Sequence, residues 1–125
     1  MKFPQDLRYT EEHEWLRIEG NTAIVGITDY AQGELGDVVF LEFPKVGDQV
    51  RSGSECGTIE AVKTVAQLFA PVSGKIVEIN TELDLDAGLV NRDPYGDGWM
   101  LKIQMSDPSE VDSLLSADAY GAKVS

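Results

Sequence analysis

The chain has 125 residues, 42% hydrophobic and 26% charged, which suits one packed domain and excludes a disordered chain. Its formal net charge of −12 is the opposite of a nucleic-acid binder's basic footprint, disfavours anionic membranes, and favours partners with basic docking patches. The single Cys56 and single His13 exclude a disulfide framework and any metal site built from Cys and His, and no apolar run approaches the ~20 residues of a membrane helix. The first fifteen residues have neither the apolar segment of a secretory signal nor the Arg-rich character of a transit peptide. The expected compartment is therefore a reducing one, the bacterial cytoplasm, or an organelle matrix if a presequence has been removed.

Residues 13–27 read as a β-hairpin. Trp15, Leu16 and Ile18 form one apolar stretch, Ala23, Ile24, Val25 and Ile27 the other, and Gly20-Asn21 supplies a two-residue turn. Thr28 caps a short helix through Tyr30, Ala31 and Leu35, and Gly36 stops it. Short strands follow at 38–43, 49–50, 56–62, 65–70, 75–80 and 99–105, separated by Gly and Pro as in an antiparallel sandwich or small barrel. Asp107-Pro108-Ser109-Glu110 reads as a helix start, with Asp107 as N-cap, Pro108 in the first turn and Glu110 closing a capping box. Val111, Leu114 and Leu115 would form that helix's apolar face. Segment 36–41 resembles segment 74–79, as two similar halves packed face to face would.

Catalytic motifs are missing: no G-x-S-x-G, C-x-x-C or H-E-x-x-H occurs. Ser73-Gly74-Lys75 imitates the end of a phosphate loop, but Phe69 stands where the first glycine belongs. Asp84 and Asp86 imitate a calcium loop, but Ala87 replaces its turn glycine. Glu12 and Glu14 flank His13 and would raise its pKa. No nucleophile lies near it in sequence, so it reads as a surface or packing histidine at a strand start. The chain reads as something other proteins act upon, with no catalytic residues of its own.

The informative segment is 57–74. Two β-like runs flank Val62-Lys63, and if they pair, Lys63 stands at the tip of the turn. A lysine held clear of a domain can be acylated, and the product is a tether. About twelve bonds at ~1.25 Å of advance give a lipoyl-type arm a reach of ~15 Å, with a high effective concentration at each stop. On spacing alone, an ordinary solvated lysine is the favoured reading of Lys63.

Five blocks resolve that choice. Tyr9-Thr10-Glu11-Glu12-His13-Glu14-Trp15, Val25-Gly26-Ile27-Thr28-Asp29-Tyr30-Ala31-Gln32, Leu35-Gly36-Asp37-Val38-Val39-Phe40, Ala70-Pro71-Val72-Ser73-Gly74 and Asn91-Arg92-Asp93-Pro94-Tyr95-Gly96-Asp97-Gly98-Trp99 occur in order. Together with the lysine segment they resemble the glycine cleavage system H proteins over nearly the whole chain, from about 7 to 120. The resemblance implies a mainly β fold, a barrel-sandwich hybrid of two small antiparallel sheets with short helices, one of them C-terminal. It implies a single lipoyl-carrier domain over 1–125, with its core at about 7–105 and a helical segment at about 107–120.

The resemblance also implies a carrier function without catalysis. Lipoate is attached to Lys63 by a lipoate or octanoate transferase or ligase. The arm takes the aminomethyl group of glycine from the decarboxylase (P-protein) to the aminomethyltransferase (T-protein). Dihydrolipoamide dehydrogenase (L-protein) then reoxidises it. In the same way Glu60 is implied in recognition by the loading enzyme, and Glu14, Glu12 and Gln67 in a cleft that shelters the arm. Neither nucleic acid nor membrane is an implied partner, and the chain is expected to be a monomer.

Two departures from the family pattern stand out. Glu60-Ala61-Val62-Lys63-Thr64 replaces the usual Glu-Ser-Val-Lys-Ala. Gln67 stands where the family tends to Asp, which removes one possible carboxylate from the arm's resting place. Cys56 is expected to pack as a small hydrophobe. The alternatives are an H-like lipoyl relay or a non-catalytic interaction protein. A 2-oxoacid dehydrogenase lipoyl domain would show Asp-Lys-Ala, and a biotin carrier would show Met on both sides of the lysine.

Overall fold

The computed structural model describes residues 2–124. The first hairpin forms as the sequence predicts: β2 (Glu14–Glu19) pairs antiparallel with β3 (Thr22–Ile27), Glu19 opposite Thr22, with Gly20 at φ +62° in the turn. Two-residue β1 (Arg8–Tyr9) lies on the outer side of β2. Helix α1 (Asp29–Leu35) begins where Thr28 Oγ1 accepts the Ala31 N–H and ends at Gly36, whose φ of +78° favours glycine.

Strands β4 (Val38–Glu42), β5 (Gln49–Val50), β6 (Glu55–Ala61), β7 (Val65–Phe69), β8 (Gly74–Ile79) and β9 (Leu101–Met105) complete two antiparallel sheets. One has six strands in the order β1-β2-β3-β9-β8-β5, the other three in the order β4-β6-β7. Neither closes into a barrel. The repeated segments fall on β4 and β8, in opposite sheets, but sheets of six and three strands are not equal halves.

The main core lies between the sheets. Leu16 and Val25 enter it from β2 and β3, Leu41 and Ile59 from the smaller sheet, Ile76 and Ile103 from β8 and β9. A second cluster covers the other face of the hairpin: Trp15 and Ile24 pack with Leu7, Tyr9 and Tyr120. The two faces of β2 and β3 are thus both buried, which is why their apolar residues run together instead of alternating with polar ones. Leu83 of α2 (Glu82–Leu85) and Val90 of α3 (Leu89–Arg92) pack into the main core. Neither short helix is foreseen in the sequence.

The C-terminal segment departs from expectation. Pro108–Ser113 is a 3-10 helix, and a separate helix α4 spans Ala117–Val124. Asp107 does cap the first, accepting from the Ser109 N–H at 3.1 Å. Glu110 does not close a capping box, because its carboxylate accepts from Ser73 N at 2.7 Å and Ser73 Oγ at 3.0 Å. Leu115 is not on the helix either. It pairs with Tyr9 in both directions, Tyr9 N to Leu115 O at 2.9 Å and Leu115 N to Tyr9 O at 2.8 Å, so a continuous helix cannot pass through it. Helix α4 then lays Tyr120 flat on Tyr9, ring centroids 4.9 Å apart.

One tight contact fixes the start of β2. Gly26 lies opposite Trp15, and a Cβ on it would meet the indole ring at 2.6 Å. Trp15 Nε1 donates to Pro94 O at 2.9 Å, so the ring has nowhere to go. Gly26→Ala is expected to cost about 2 kcal/mol, read as a lower midpoint in urea denaturation. An unchanged midpoint would contradict this packing.

Candidate functional site

Strands β6 and β7 form the hairpin whose turn carries Lys63. Glu60 pairs with Val65, and Ala61 N donates to Thr64 O at 2.8 Å, leaving Val62 and Lys63 as the two turn residues. Neither has a positive φ, so the turn forms without the Asn-Gly chemistry of primed turns. Support from outside replaces it: Val62 N donates to Asp37 O at 3.0 Å, tying the tip to the loop after α1. Lys63 is exposed and its stem lies across Gly36, close enough that a Cβ there would sit 3.1 Å from Lys63 Cε. Glu60, three residues before the lysine, is exposed on the outer face of the small sheet. Its row neighbours Phe40 and Val65 are 52% and 57% exposed, an apolar pair bracketing one carboxylate.

Beside the hairpin runs a cleft of about 350 Å³. Tyr30, Ala31, Glu34 and Leu35 of α1 form one wall, Ile59 of β6 with Ala66 and Gln67 of β7 the other. Glu12, His13 and Glu14 line it as well. Three of the sequence-predicted site residues, Glu14, Glu12 and Gln67, therefore meet in one place, while Lys63 and Glu60 lie toward the hairpin tip.

Glu14 is the unusual member. It is only 2% exposed. Thr10 Oγ1 donates to its Oε1 at 2.6 Å and the Phe69 N–H to its Oε2 at 3.3 Å, so the carboxyl joins the two sheets. Burial pushes its pKa up to about 7, against the downward pull of those two hydrogen bonds. The same burial effect, helped by Glu14, pushes the Cys56 thiol up to about 12, and Cys56 packs in the main core.

His13 differs from the sequence expectation. It has φ +70°, and its Nδ1 lies 2.8 Å from the Tyr120 hydroxyl, which in turn lies 2.8 Å from Thr28 Oγ1. Burial lowers its pKa and outweighs the opposing pull of Glu12 and Glu34, so the flanking acids do not raise it as predicted. The ring is neutral near pH 7 and leaves the negative character of the cleft uncancelled. Glu34, Tyr30 and Gly36 are the site residues that sequence reading missed. The i, i+4 pairs Tyr30–Glu34 and Ala31–Leu35 place the first two on one face of α1, with Gly36 just past its end, a pattern too short to interpret without its partner wall. Among the described residues, no group of three or more His, Cys, Asp or Glu is placed to hold a metal ion.

The two-sheet frame, with an exposed lysine on a braced hairpin beside an acidic and partly apolar cleft, is that of a carrier protein. Residues 7–125 match the family model described as Glycine cleavage H-protein. The chain is 55% identical over 119 residues to the glycine cleavage system H protein of Symbiobacterium thermophilum, covering 95% of this chain and 93% of that one. It is 53% identical over 124 residues to the H protein of Bacteroides thetaiotaomicron, covering 99% and 98%. The crystal structure of a glycine cleavage system H protein from Mycobacterium marinum superposes with a TM-score of 0.89 at 42% identity, covering 96% of this chain and 97% of that one. The chain belongs to the glycine cleavage H-protein family, lipoate-bearing carriers of the glycine cleavage system.

The buried Glu14 makes stability depend on pH. Its folded pKa lies above that of an unfolded glutamate, so stability is full below about pH 4.5 and is lost as pH rises through about 7. Glu14→Gln removes that loss. The variant is expected to gain on the wild type between pH 4 and pH 8 by on the order of 3 kcal/mol, seen as a widening gap between denaturation midpoints. A gap independent of pH would contradict the assignment.

Proposed function

We propose that Lys63 carries lipoate and that the cleft ending at Glu14 shelters the loaded arm between enzymes. The observation that carries this reading is a match of lengths. From Lys63 at the tip to Phe69, whose N–H holds Glu14, is six residues, at most about 20 Å along the strand and on the scale of the arm. A lipoyl-lysine arm reaches ~15 Å from its root.

The residues fit the group. Ile27, Ala31, Leu35, Ile59 and Ala66 offer apolar lining for an aliphatic chain, and Glu12, Glu14 and Glu34 offer negative charge to a cationic cargo. The attached group supplies a dithiolane that accepts the aminomethyl group of glycine and is later reoxidised. The chain's own residues position it, desolvate it and compensate its charge. Glu14, whose pKa burial raises to about 7, is drawn to the full carboxylate when an ammonium lies beside it. Water is thereby kept from a group that loses its amine readily.

On this reading the partners are the glycine decarboxylase (P-protein), the aminomethyltransferase (T-protein), dihydrolipoamide dehydrogenase (L-protein) and a lipoate or octanoate transferase or ligase. The setting is the bacterial cytoplasm. The net charge of −12 steers the chain to basic docking patches on these enzymes. Glu60, bracketed by Phe40 and Val65 and three residues from the lysine, is the feature we assign to the loading enzyme.

Co-expression with a lipoate ligase and lipoate should add the mass of one lipoyl group, mapped to Lys63 by peptide analysis. Lys63→Arg should add none and should abolish glycine-dependent exchange of carbon dioxide with the decarboxylase. A biotinyl group, or full exchange by Lys63→Arg, would contradict the reading. In the charged carrier, Glu14→Gln should speed ammonia release roughly tenfold or more, the loss of one hydrogen bond to a charged group. An unchanged release rate would remove Glu14 from the sheltering role.

A further inference from the structure

The lysine's root is braced by a loop, and that loop is held by one side chain. Asn91, on α3, uses its whole amide. Its Oδ1 accepts from Val38 N at 2.9 Å, and its Nδ2 donates to Gly36 O at 2.8 Å and to Gln32 Oε1 at 3.1 Å. The amide orientation is unambiguous, because Gln32 Nε2 is committed to Asp29 Oδ1 and its oxygen is the atom left for Asn91. Asn91 thus grips the backbone on both sides of Asp37.

The Asp37 carbonyl is the acceptor that ties down Val62 N, and Gly36 is the notch across which the Lys63 stem lies. Gly36 itself holds φ +78°, and its N–H donates to Gln32 O at 3.0 Å. A single side chain therefore fixes the two features that set the direction in which the lysine leaves the hairpin. Gly36 is the C-cap of α1, so the stem passes the end of the helix whose Leu35, Glu34 and Ala31 form a wall of the cleft.

We propose that Asn91 is a positioning residue for the lysine arm, acting through Gly36 and Asp37 to aim Lys63 along α1 into the cleft. This rests on the sheltering role assigned above. Asn91→Asp keeps the acceptor for Val38 N but turns both donor contacts into repulsive ones, which frees the loop without emptying the site. The loop then samples other directions, the hairpin tip loses its brace, and the arm spends more of its time outside the cleft.

The test uses two readouts and a matched control. In the unloaded chain, hydrogen exchange of the Val62 amide should rise roughly tenfold in Asn91→Asp. In the charged carrier, ammonia release should quicken several-fold. Ile76→Val, in the main core away from the hairpin, serves as a destabilised control and should move neither readout. Exchange at Val62 that rises no more than in the control would overturn the proposal. So would unchanged release in Asn91→Asp when Glu14→Gln accelerates it. If Glu14→Gln also leaves release unchanged, the sheltering role itself fails and this proposal falls with it.

Discussion

The working of this domain depends on a carboxyl group held out of water. Glu14 is 2% exposed, and two hydrogen bonds do not offset its desolvation, so its pKa rises to about 7. A glutamine there would carry no such pH-dependent cost. What glutamine cannot do is supply a negative charge that appears fully only when a cation enters. The site therefore carries a standing cost in stability, which on the proposed reading is recovered when cargo is present, a trade found at functional positions. The same carboxyl, on β2, accepts from Thr10 before that strand and from Phe69 on β7, so the group proposed to receive the cargo also couples the two sheets.

Around that carboxyl the structure divides into a rigid part and a reaching part. The inter-sheet core and the aromatic cluster of Tyr9, Trp15 and Tyr120 make the frame stiff. Stiffness would matter to the proposed arm, which at ~15 Å has to find the same cleft each time. The hairpin tip projects the lysine, and it is braced at its root through Val62 and Asp37. The Tyr120 hydroxyl bridges His13 to Thr28, the residue that caps α1, and so links the C-terminal helix to the cleft wall. On the proposed reading, tethering replaces diffusion between enzymes with motion at high effective concentration.

Much of this is legible in the sequence, for physical reasons that differ by element. The first hairpin and α1 declare themselves through local chemistry: Gly20 at a positive φ, Thr28 as a cap, Gly36 as a stop. The Lys63 turn has no such signal. Its stability comes from Asp37, distant in sequence, so no local pattern dictates that the flanking runs pair. The C-terminal segment misleads because Asp107, Pro108 and Glu110 spell a capping box while Ser73 competes for Glu110 and Tyr9 for Leu115, both long-range contacts. His13 misleads for the same reason: its neighbours in sequence are acids, yet burial decides its protonation. Glu12, Glu14 and Gln67 are drawn together by family resemblance alone. Nothing in their spacing brings residues 12 and 67 to one cleft, and nothing local marks Asn91 as the clamp on the loop behind the lysine.

The most direct measurement is a titration of the Glu14 side-chain carboxyl by carbon-detected NMR, in the unloaded chain and in the carrier charged with its aminomethyl cargo. The expected pKa is near 7 in the unloaded chain, falling to about 6 or lower once an ammonium lies beside it. The same value in both states would show that the cargo does not rest against Glu14, and would contradict the sheltering role at its centre.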